Sequence, residues 1–231
     1  MMTARRQSNP HSESVDDYLK AILALGGPEE GRVSSTALAD RLGVAPASVT
    51  NMLQKLAALP TPLVEYQRHR GVRLSQAGKQ RALEVLRHHR LIETFLYKVL
   101  DYPLEEVHGE AERLEHFISE RFEERIAAKL GNPTVDPHGH GIPAMDGKMP
   151  AQNSRPLAET QELGELIVAS ISDNDAMRLK FLTNCGIAPG VRLDVKARTM
   201  NDGYSVTVGR SAKLIHLSND AASAIRVQPP Q

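Results

Sequence analysis

Apolar residues Val15, Leu19, Ile22 and Leu23 recur at helical spacing after the cap residue Ser14 and stop at Gly26-Gly27-Pro28, which predicts a first helix. Ser34 or Ser35 can cap a second helix that runs to Leu42 and breaks at Gly43. Pro46 then falls in the first turn of a third, extending to about Leu59. Two helices joined by a tight glycine turn make a helix-turn-helix. Beyond Pro60 and Pro62, Leu63–Tyr66 and Val72–Leu74 read as short strands around the basic tip Gln67-Arg68-His69-Arg70-Gly71. Residues 14–74 are therefore expected to form a winged helix-turn-helix, preceded by a polar, aperiodic and disordered tail over residues 1–13.

The period stays helical downstream. One long helix is expected from Ser75 to about Leu100 and a second from Leu104 to Leu130, closed by Gly131 and Pro133, so that residues 75–130 form a helical domain. Residues 131–156 are rich in proline and glycine without period and read as a linker. From residue 157 to 231 the pattern shifts to short β-rich runs: Leu166–Ile171, Val191–Ala197, Tyr204–Val208, Lys213–Leu217 and Ile225–Val227. One helix is expected near Asp175 to Asn184, giving a small barrel-like domain. The fold class is mainly α with small β parts.

Composition narrows the function. The chain has 231 residues, 41% hydrophobic and 24% charged, which is ordinary for a globular protein and excludes collagen-like or wholly disordered classes. The single cysteine, Cys185, rules out an internal disulfide and a cysteine-rich zinc site. No export signal and no membrane-length apolar run is present, so a cytoplasmic location away from membranes is expected. The neutral total conceals a gradient: residues 1–82 carry eleven Lys/Arg against seven Asp/Glu, net +4, and residues 83–130 carry seven against eleven, net −4. A basic head joined to an acidic middle suits a polyanion-binding module joined to a cation-binding one, although solvated surfaces alone give the same arithmetic.

In a helix-turn-helix the second helix enters the major groove near its N-terminus. Ala45, Pro46 and Ala47 suit thymine methyl groups there, while Ser48, Thr50, Asn51 and Gln54 can donate to phosphates or bases. Arg68, His69 and Arg70 of the hairpin are expected along the backbone or in a minor groove. The same fold also serves protein interaction, which the motif alone leaves open.

On one continuous helix at about 100° per residue, His108, Glu112, Glu115 and His116 share a face. His89 and Glu93 are four apart on the preceding helix, and Asp17 lies among apolar positions of the first helix that must face the core. Acids packed beside an apolar stripe of Val107, Ala111, Ile118 and Phe122 would repel one another unless a cation joined them. Taken singly, each has a plainer use: a solvated glutamate, a basic patch around Arg87-His88-His89-Arg90, or Asp17 favouring its helix N-terminus. His138 and His140, in the proline- and glycine-rich stretch, are weaker candidates and stand outside this set.

Three stretches carry a resemblance: Val15-Asp16-Asp17-Tyr18-Leu19, His89-Arg90-Leu91-Ile92-Glu93, and Val107-His108-Gly109-Glu110-Ala111-Glu112-Arg113-Leu114-Glu115-His116. With them, residues 14–130 resemble the iron- and manganese-dependent repressors of the diphtheria toxin repressor family, and residues 157–227 look like their C-terminal SH3-like (FeoA-like) domain. The resemblance implies a metal-dependent homodimer that binds palindromic operator DNA and regulates metal-uptake genes. It also implies a primary metal site of Asp17, Glu112, Glu115 and His116, and an ancillary site of His89, Glu93 and His108. Ser170 and Asp173 are the positions that align with ligands lent by the third domain, Asp173 being the better donor.

The iron-responsive branch has a thioether where this chain has Asp17 and a cysteine where it has Glu112, so carboxylates at both positions favour Mn²⁺, with Fe²⁺ the alternative. The manganese branch often adds a glutamate where this chain has Lys20, which puts a closely spaced two-metal primary site in doubt. Candidate dimer contacts are Leu91, Phe95, Leu96 and Val99, with Phe117 or Ile118, each equally able to serve the chain's own core. Two rival classes are a metal-dependent hydrolase, for which no nucleophile motif or phosphate loop is found, and a metal-independent winged-helix regulator.

Overall fold

The structure, a computed structural model, describes residues 13–27, 31–199 and 203–230. The expected N-terminal tail lies outside the described residues except for Glu13, as does Pro28 of the predicted first stop. The described residues group into two compact units. One comprises residues up to His88 with 115–118 and 145–148; the other comprises 89–114, 119–144 and 149–230.

In the first unit, α1 (Glu13–Gly26), α2 (Ser35–Leu42) and α3 (Pro46–Ala57) precede an antiparallel hairpin of β1 (Val64–Gln67) and β2 (Gly71–Leu74), and α4 (Gln76–Val99) begins here. Ser34 caps α2 by accepting from the Ala37 N–H at 3.1 Å, left-handed Gly43 (φ 63°) ends it, and Pro46 opens α3. Val15, Leu19 and Ile22 pack with Leu38, Val49, Leu53, Val64 and Val72 in one core, each buried aliphatic side chain contributing about 1.5–3 kcal/mol. Val33 exchanges backbone hydrogen bonds with Val72 (2.8 and 2.9 Å), adding a bridge to the hairpin. A Cβ at Gly71 (φ 85°) would come within 2.4 Å of the Val33 carbonyl oxygen, so only glycine permits that approach.

The second unit holds the rest of α4, then α5 (Leu104–Leu114) and α6 (Glu120–Lys129). Where a single helix is expected from Leu104 to Leu130, the structure has two. The chain leaves helical geometry after Leu114 and re-enters it at Glu120, behind the extended cap residue Ser119, whose hydroxyl accepts from the Phe122 N–H at 3.3 Å. The expected apolar stripe parts accordingly: Val107 and Ala111 are fully buried, Ile118 is half-buried and Phe122 is exposed. Leu91 packs with Ile126, Ala127 and Ile142 in this unit's helical core, so it serves the fold rather than a free surface. Leu96 is also buried, whereas Val99 and Phe117 are exposed.

The C-terminal part is an antiparallel sheet in the order β3 (Arg155–Pro156), β8 (Ile225–Gln228), β4 (Gly164–Ile171), β5 (Arg192–Thr199), β6 (Gly203–Val208) and β7 (Ile215–Leu217). Two helices complete it, α7 (Ala176–Asn184) between β4 and β5 and α8 (Asn219–Ser223) before β8. The pairs Val168↔Val227, Leu193↔Val208 and Val195↔Val206 put alternate apolar side chains on the buried face. The β4–β8 register shifts between Val168 and Ser170, an irregularity that becomes important at the site. No helix of the described residues is long and apolar enough to cross a membrane.

Candidate metal centres and DNA-binding surface

Two adjacent acids on α1 go to different uses. Asp16 is buried and accepts two hydrogen bonds from Arg81 of α4 (2.9 and 2.8 Å), and Arg81 also holds Glu84 at 2.8 Å. Asp17 is therefore not the acid that faces the core. Its side chain is half exposed, and its Oδ1 lies 3.3 Å from His116 Nε2. The break between α5 and α6 supplies the other two groups: His116 Nε2 lies 3.4 Å from Glu115 Oε1, and Glu115 is buried. Ligand atoms of Asp17, Glu115 and His116 lie within 4.8 Å of one another.

His116 Nδ1 is buried without a hydrogen-bond partner, 3.6 Å from Asp16 Oδ2, and Lys20 Nζ lies 2.5 Å from Glu115 Oε1. Two carboxylates converging on one imidazole fit a divalent cation. Glu112, placed with them by the resemblance, stands on the last turn of α5 with its side chain 55% exposed and its Oε1 3.8 Å from His108 Nε2.

A second cluster, wholly within the other unit, joins α4, α5, the segment after α6 and the end of β4. His89 Nε2 and His108 Nδ1 approach the same oxygen, Glu93 Oε1, at 2.9 and 3.2 Å, and lie 3.1 Å from each other. Asp173 Oδ2 is 3.5 Å from His108 Nδ1, so all four residues expected here or aligned from the third domain come together. Glu93 is fully buried, and its Oε2 has no hydrogen-bond partner.

The structure adds three residues that the sequence reading set aside or did not consider: Asp136, His138 and His140. The stretch that carries them holds no helix, yet it is folded into a tight loop. Asp136 Oδ1 accepts from the His138 and His140 N–H groups (2.8 and 2.9 Å), and Val135 bridges to Gly141. Where β4 is irregular the loop docks: the Ile171 N–H donates to the His138 carbonyl at 2.9 Å. A Cβ at Gly139 (φ 86°) would come within 2.1 Å of the Ala169 carbonyl oxygen.

His138 Nε2 lies 3.2 Å from the Leu104 carbonyl oxygen, which can only accept, so that nitrogen carries the hydrogen. The other, Nδ1, is buried without a hydrogen-bond partner, 3.8 Å from Glu93 Oε1 and 3.9 Å from Asp173 Oδ2. A lone pair facing two carboxylates needs a cation or a proton between them. The donor set therefore fits a metal ion. The alternating Asp136-x-His138-x-His140 spacing was the available signal.

The electrostatics agree. Burial pushes the Glu93 carboxyl up, but the charge of His89 and the contacts of His108 and His138 outweigh it and hold the group well below its usual range. Burial likewise pushes His138 down, and the carboxylate of Glu93, with those of Asp173 and Asp136, more than reverses this and raises it. Asp173 is raised by burial and lowered by a larger sum of histidine charges, chiefly His140 and His108.

The DNA-binding candidates sit on the head. Val49, Leu53 and Leu56 turn α3 toward the core, leaving Ala45, Pro46, Ala47, Ser48, Asn51 and Gln54 exposed. Thr50 is half-buried and its hydroxyl donates to the Pro46 carbonyl at 3.2 Å, so it is less available to DNA than its neighbours. Lys55, not among the expected contacts, is exposed near the end of the same helix. Arg68, His69 and Arg70 are exposed at the hairpin tip, with His69 in the left-handed region (φ 66°).

Comparison with known proteins gives a consistent picture. Residues 11–72 match the family model of the iron dependent repressor N-terminal DNA binding domain, residues 75–144 that of the iron dependent repressor metal binding and dimerisation domain, and residues 155–229 the FeoA domain. The iron-dependent repressor IdeR of Mycobacterium tuberculosis is 29% identical over 229 residues, covering 94% of this chain and 97% of that protein. Among solved structures, a manganese-dependent transcriptional repressor in complex with manganese aligns with a TM-score of 0.85 and 40% identity over 93% of this chain and 99% of the other. ScaR with bound Zn²⁺ aligns with a TM-score of 0.78 and 33% identity, again over 93% and 99%.

Proposed function

Because the chain belongs to the diphtheria toxin repressor family of metal-dependent DNA-binding transcriptional repressors, we propose that it is a manganese-responsive repressor of metal-uptake genes. The observation that carries this reading is the donor chemistry: both clusters consist of carboxylates and imidazoles, and Cys185 belongs to neither. Hard oxygen donors with imidazole suit Mn²⁺, and a donor set made of these groups gives no advantage to softer ions. Family membership makes the chain a repressor rather than an enzyme, so the hydrolase reading falls.

When bound, the ion supplies positive charge that lets Asp17, Glu115 and His116 converge without repulsion. Asp17 brings α1 to that point, and its neighbour Asp16 keeps α1 fixed on α4 through Arg81. Since Leu19 and Ile22 of α1 share a core with Leu38, Val49 and Leu53, the orientation of α1 is transmitted to the recognition helix α3. His89, Glu93, His108 and Asp173, together with His138, form the ancillary site. Shifting a two-state population from 1:99 to 99:1 takes about 5.5 kcal/mol of differential binding, which charged multidentate donors can supply.

The acting species is a homodimer, because two half-sites of a palindrome need two recognition helices about 34–36 Å apart. Exposed Val99 and Phe117 are its candidate contacts. Ala45, which caps α3, and Pro46, Ala47, Ser48, Asn51 and Gln54 on it read the major groove, and Arg68, His69 and Arg70 follow the phosphates.

The test uses DNA selected from random sequence by manganese-loaded protein. Binding is compared in manganese, zinc and chelator, then repeated with Asp17→Ala, Glu112→Ala and Glu115→Gln. The reading requires binding in manganese, none in chelator, and loss in Asp17→Ala and Glu115→Gln. Glu112→Ala decides whether that carboxylate belongs to the primary set. Equal binding with and without chelator overturns the reading in favour of a metal-independent regulator.

A further inference from the structure

The second cluster contains more donors than one ion can take. Three triads of ligand atoms each lie within 4.8 Å: His89, Glu93 and His108; Glu93, His138 and Asp173; Asp136, His138 and His140. The triads are chained by Glu93 and by His138, and together they comprise seven side chains, whereas manganese takes about six ligands in octahedral geometry.

Each end of the chain is self-sufficient. At one end His89 and His108 converge on Glu93 Oε1. At the other, Asp136 Oδ2 lies 3.4 Å from His140 Nδ1, and His140 Nδ1 is 3.7 Å from Asp173 Oδ2. Between them Asp173 Oδ2 also faces His108 Nδ1 at 3.5 Å and His138 Nδ1 at 3.9 Å, so one carboxylate oxygen lies close to imidazoles from both ends.

Three buried atoms have no hydrogen-bond partner, Glu93 Oε2, Asp136 Oδ2 and His138 Nδ1, and they are distributed over the whole cluster rather than gathered at one end. Leaving such atoms unsatisfied costs about 1–3 kcal/mol each, more when charged. Arg90 Nε, 3.5 Å from Asp136 Oδ2, offsets part of the negative charge at that end without making a hydrogen bond to it.

We propose that this cluster is a two-ion centre: one manganese ion held by His89, Glu93 and His108, a second by Asp136, His138 and His140, with the carboxylates of Glu93 and Asp173 bridging them. This deepens the ancillary site of the proposed function and rests on that reading. It assigns to Asp136 and His140 a ligand role, and it makes the loop between α6 and β3 a metal-binding element.

The experiment counts ions on the full chain. Manganese bound per chain is measured by elemental analysis after equilibrium dialysis, and low-temperature electron paramagnetic resonance reports whether two ions share a bridge. Three ions per chain are expected in the wild type, with an exchange-coupled signal. Two are expected in Asp17→Ala, with the coupled signal kept. Two are expected in His140→Ala and in Asp136→Asn, with only isolated-ion spectra left.

If the loop variants fail to fold, anomalous scattering at the manganese edge from wild-type crystals decides, two peaks being expected beside Glu93 and one overturning the proposal. Two ions per wild-type chain without a coupled signal also overturn it, while manganese-dependent operator binding would leave the proposed function standing. A chain whose operator binding ignores manganese fails the proposed function instead.

Discussion

Replacing Lys20 by methionine removes the ammonium group that lies 2.5 Å from Glu115 Oε1 while keeping most of the side chain's apolar contact. The pair is well shielded, with side-chain exposures of 15% and 0%, so solvent screens it little. A hydrogen bond to a charged group contributes about 1.5–3 kcal/mol, and a metal ion that engages Glu115 has to displace that contact or weaken it. Lys20 therefore acts as a tethered cation competing for the primary site. At about 1.4 kcal/mol per tenfold change, its removal should tighten manganese binding there by roughly 10- to 100-fold.

The same substitution leaves a buried carboxylate without its cation in chelated protein. The chelated Tm should therefore fall, and the rise in Tm on adding manganese should grow by a matching amount. Isothermal titration of Lys20→Met against wild type measures the first effect and differential scanning calorimetry the second. Repeating the titration in the Asp17→Ala background assigns the gain, which should vanish there. Unchanged manganese affinity together with an unchanged chelated Tm would refute the competition.

Gly139→Ala should destabilise the fold by more than about 2 kcal/mol, read as a fall in Tm, from the left-handed backbone and the collision with Ala169. It should also release the manganese of the second cluster while the primary site keeps its ion, as ion counting would show. In chelator, stability should peak between about pH 4.5 and 6.5. The raised His138 stabilises the fold fully below its ordinary value of 6.5 and loses that contribution as pH rises through the folded value, while the lowered Glu93 loses its contribution as pH falls below 4.5. A chelated melting series across pH 4 to 9 that rises steadily with pH would contradict this. Arg68→Ala and Arg70→Ala should each reduce the slope of log affinity against log salt by about 1 without changing base preference, measurable by anisotropy titrations at several ionic strengths.

Local chemistry made much of the fold legible. The cap at Ser34, the left-handed stop at Gly43 and Pro46 at the start of α3 each act within a few residues, so the helix-turn-helix could be read directly. The alternating strands of the C-terminal sheet were readable for the same reason, their side-chain period being two. The break at Glu115–Ile118 was not, because every residue from Glu110 to Arg125 except Ser119 tolerates a helix and the interruption depends on tertiary packing.

The choice between Asp16 and Asp17 was hidden likewise, since Arg81, the partner that decides it, lies 65 residues away. For the second cluster, residues 136–140 lack any period, and their proline and glycine content signals a loop whether or not that loop is ordered. The ligand role of His138 emerges only from the tautomer set by the Leu104 carbonyl and from the approach of Asp173.

On the proposed function, occupancy of the site at Asp17, Glu115 and His116 and grip on operator DNA are one coupled equilibrium. Titrating manganese into the protein with and without a saturating operator fragment tests it most directly, because coupling between two ligands is reciprocal. Manganese should bind more tightly in the presence of DNA, by the same factor as manganese tightens DNA binding, with no such gain in Asp17→Ala. Identical manganese affinity in both titrations would contradict it.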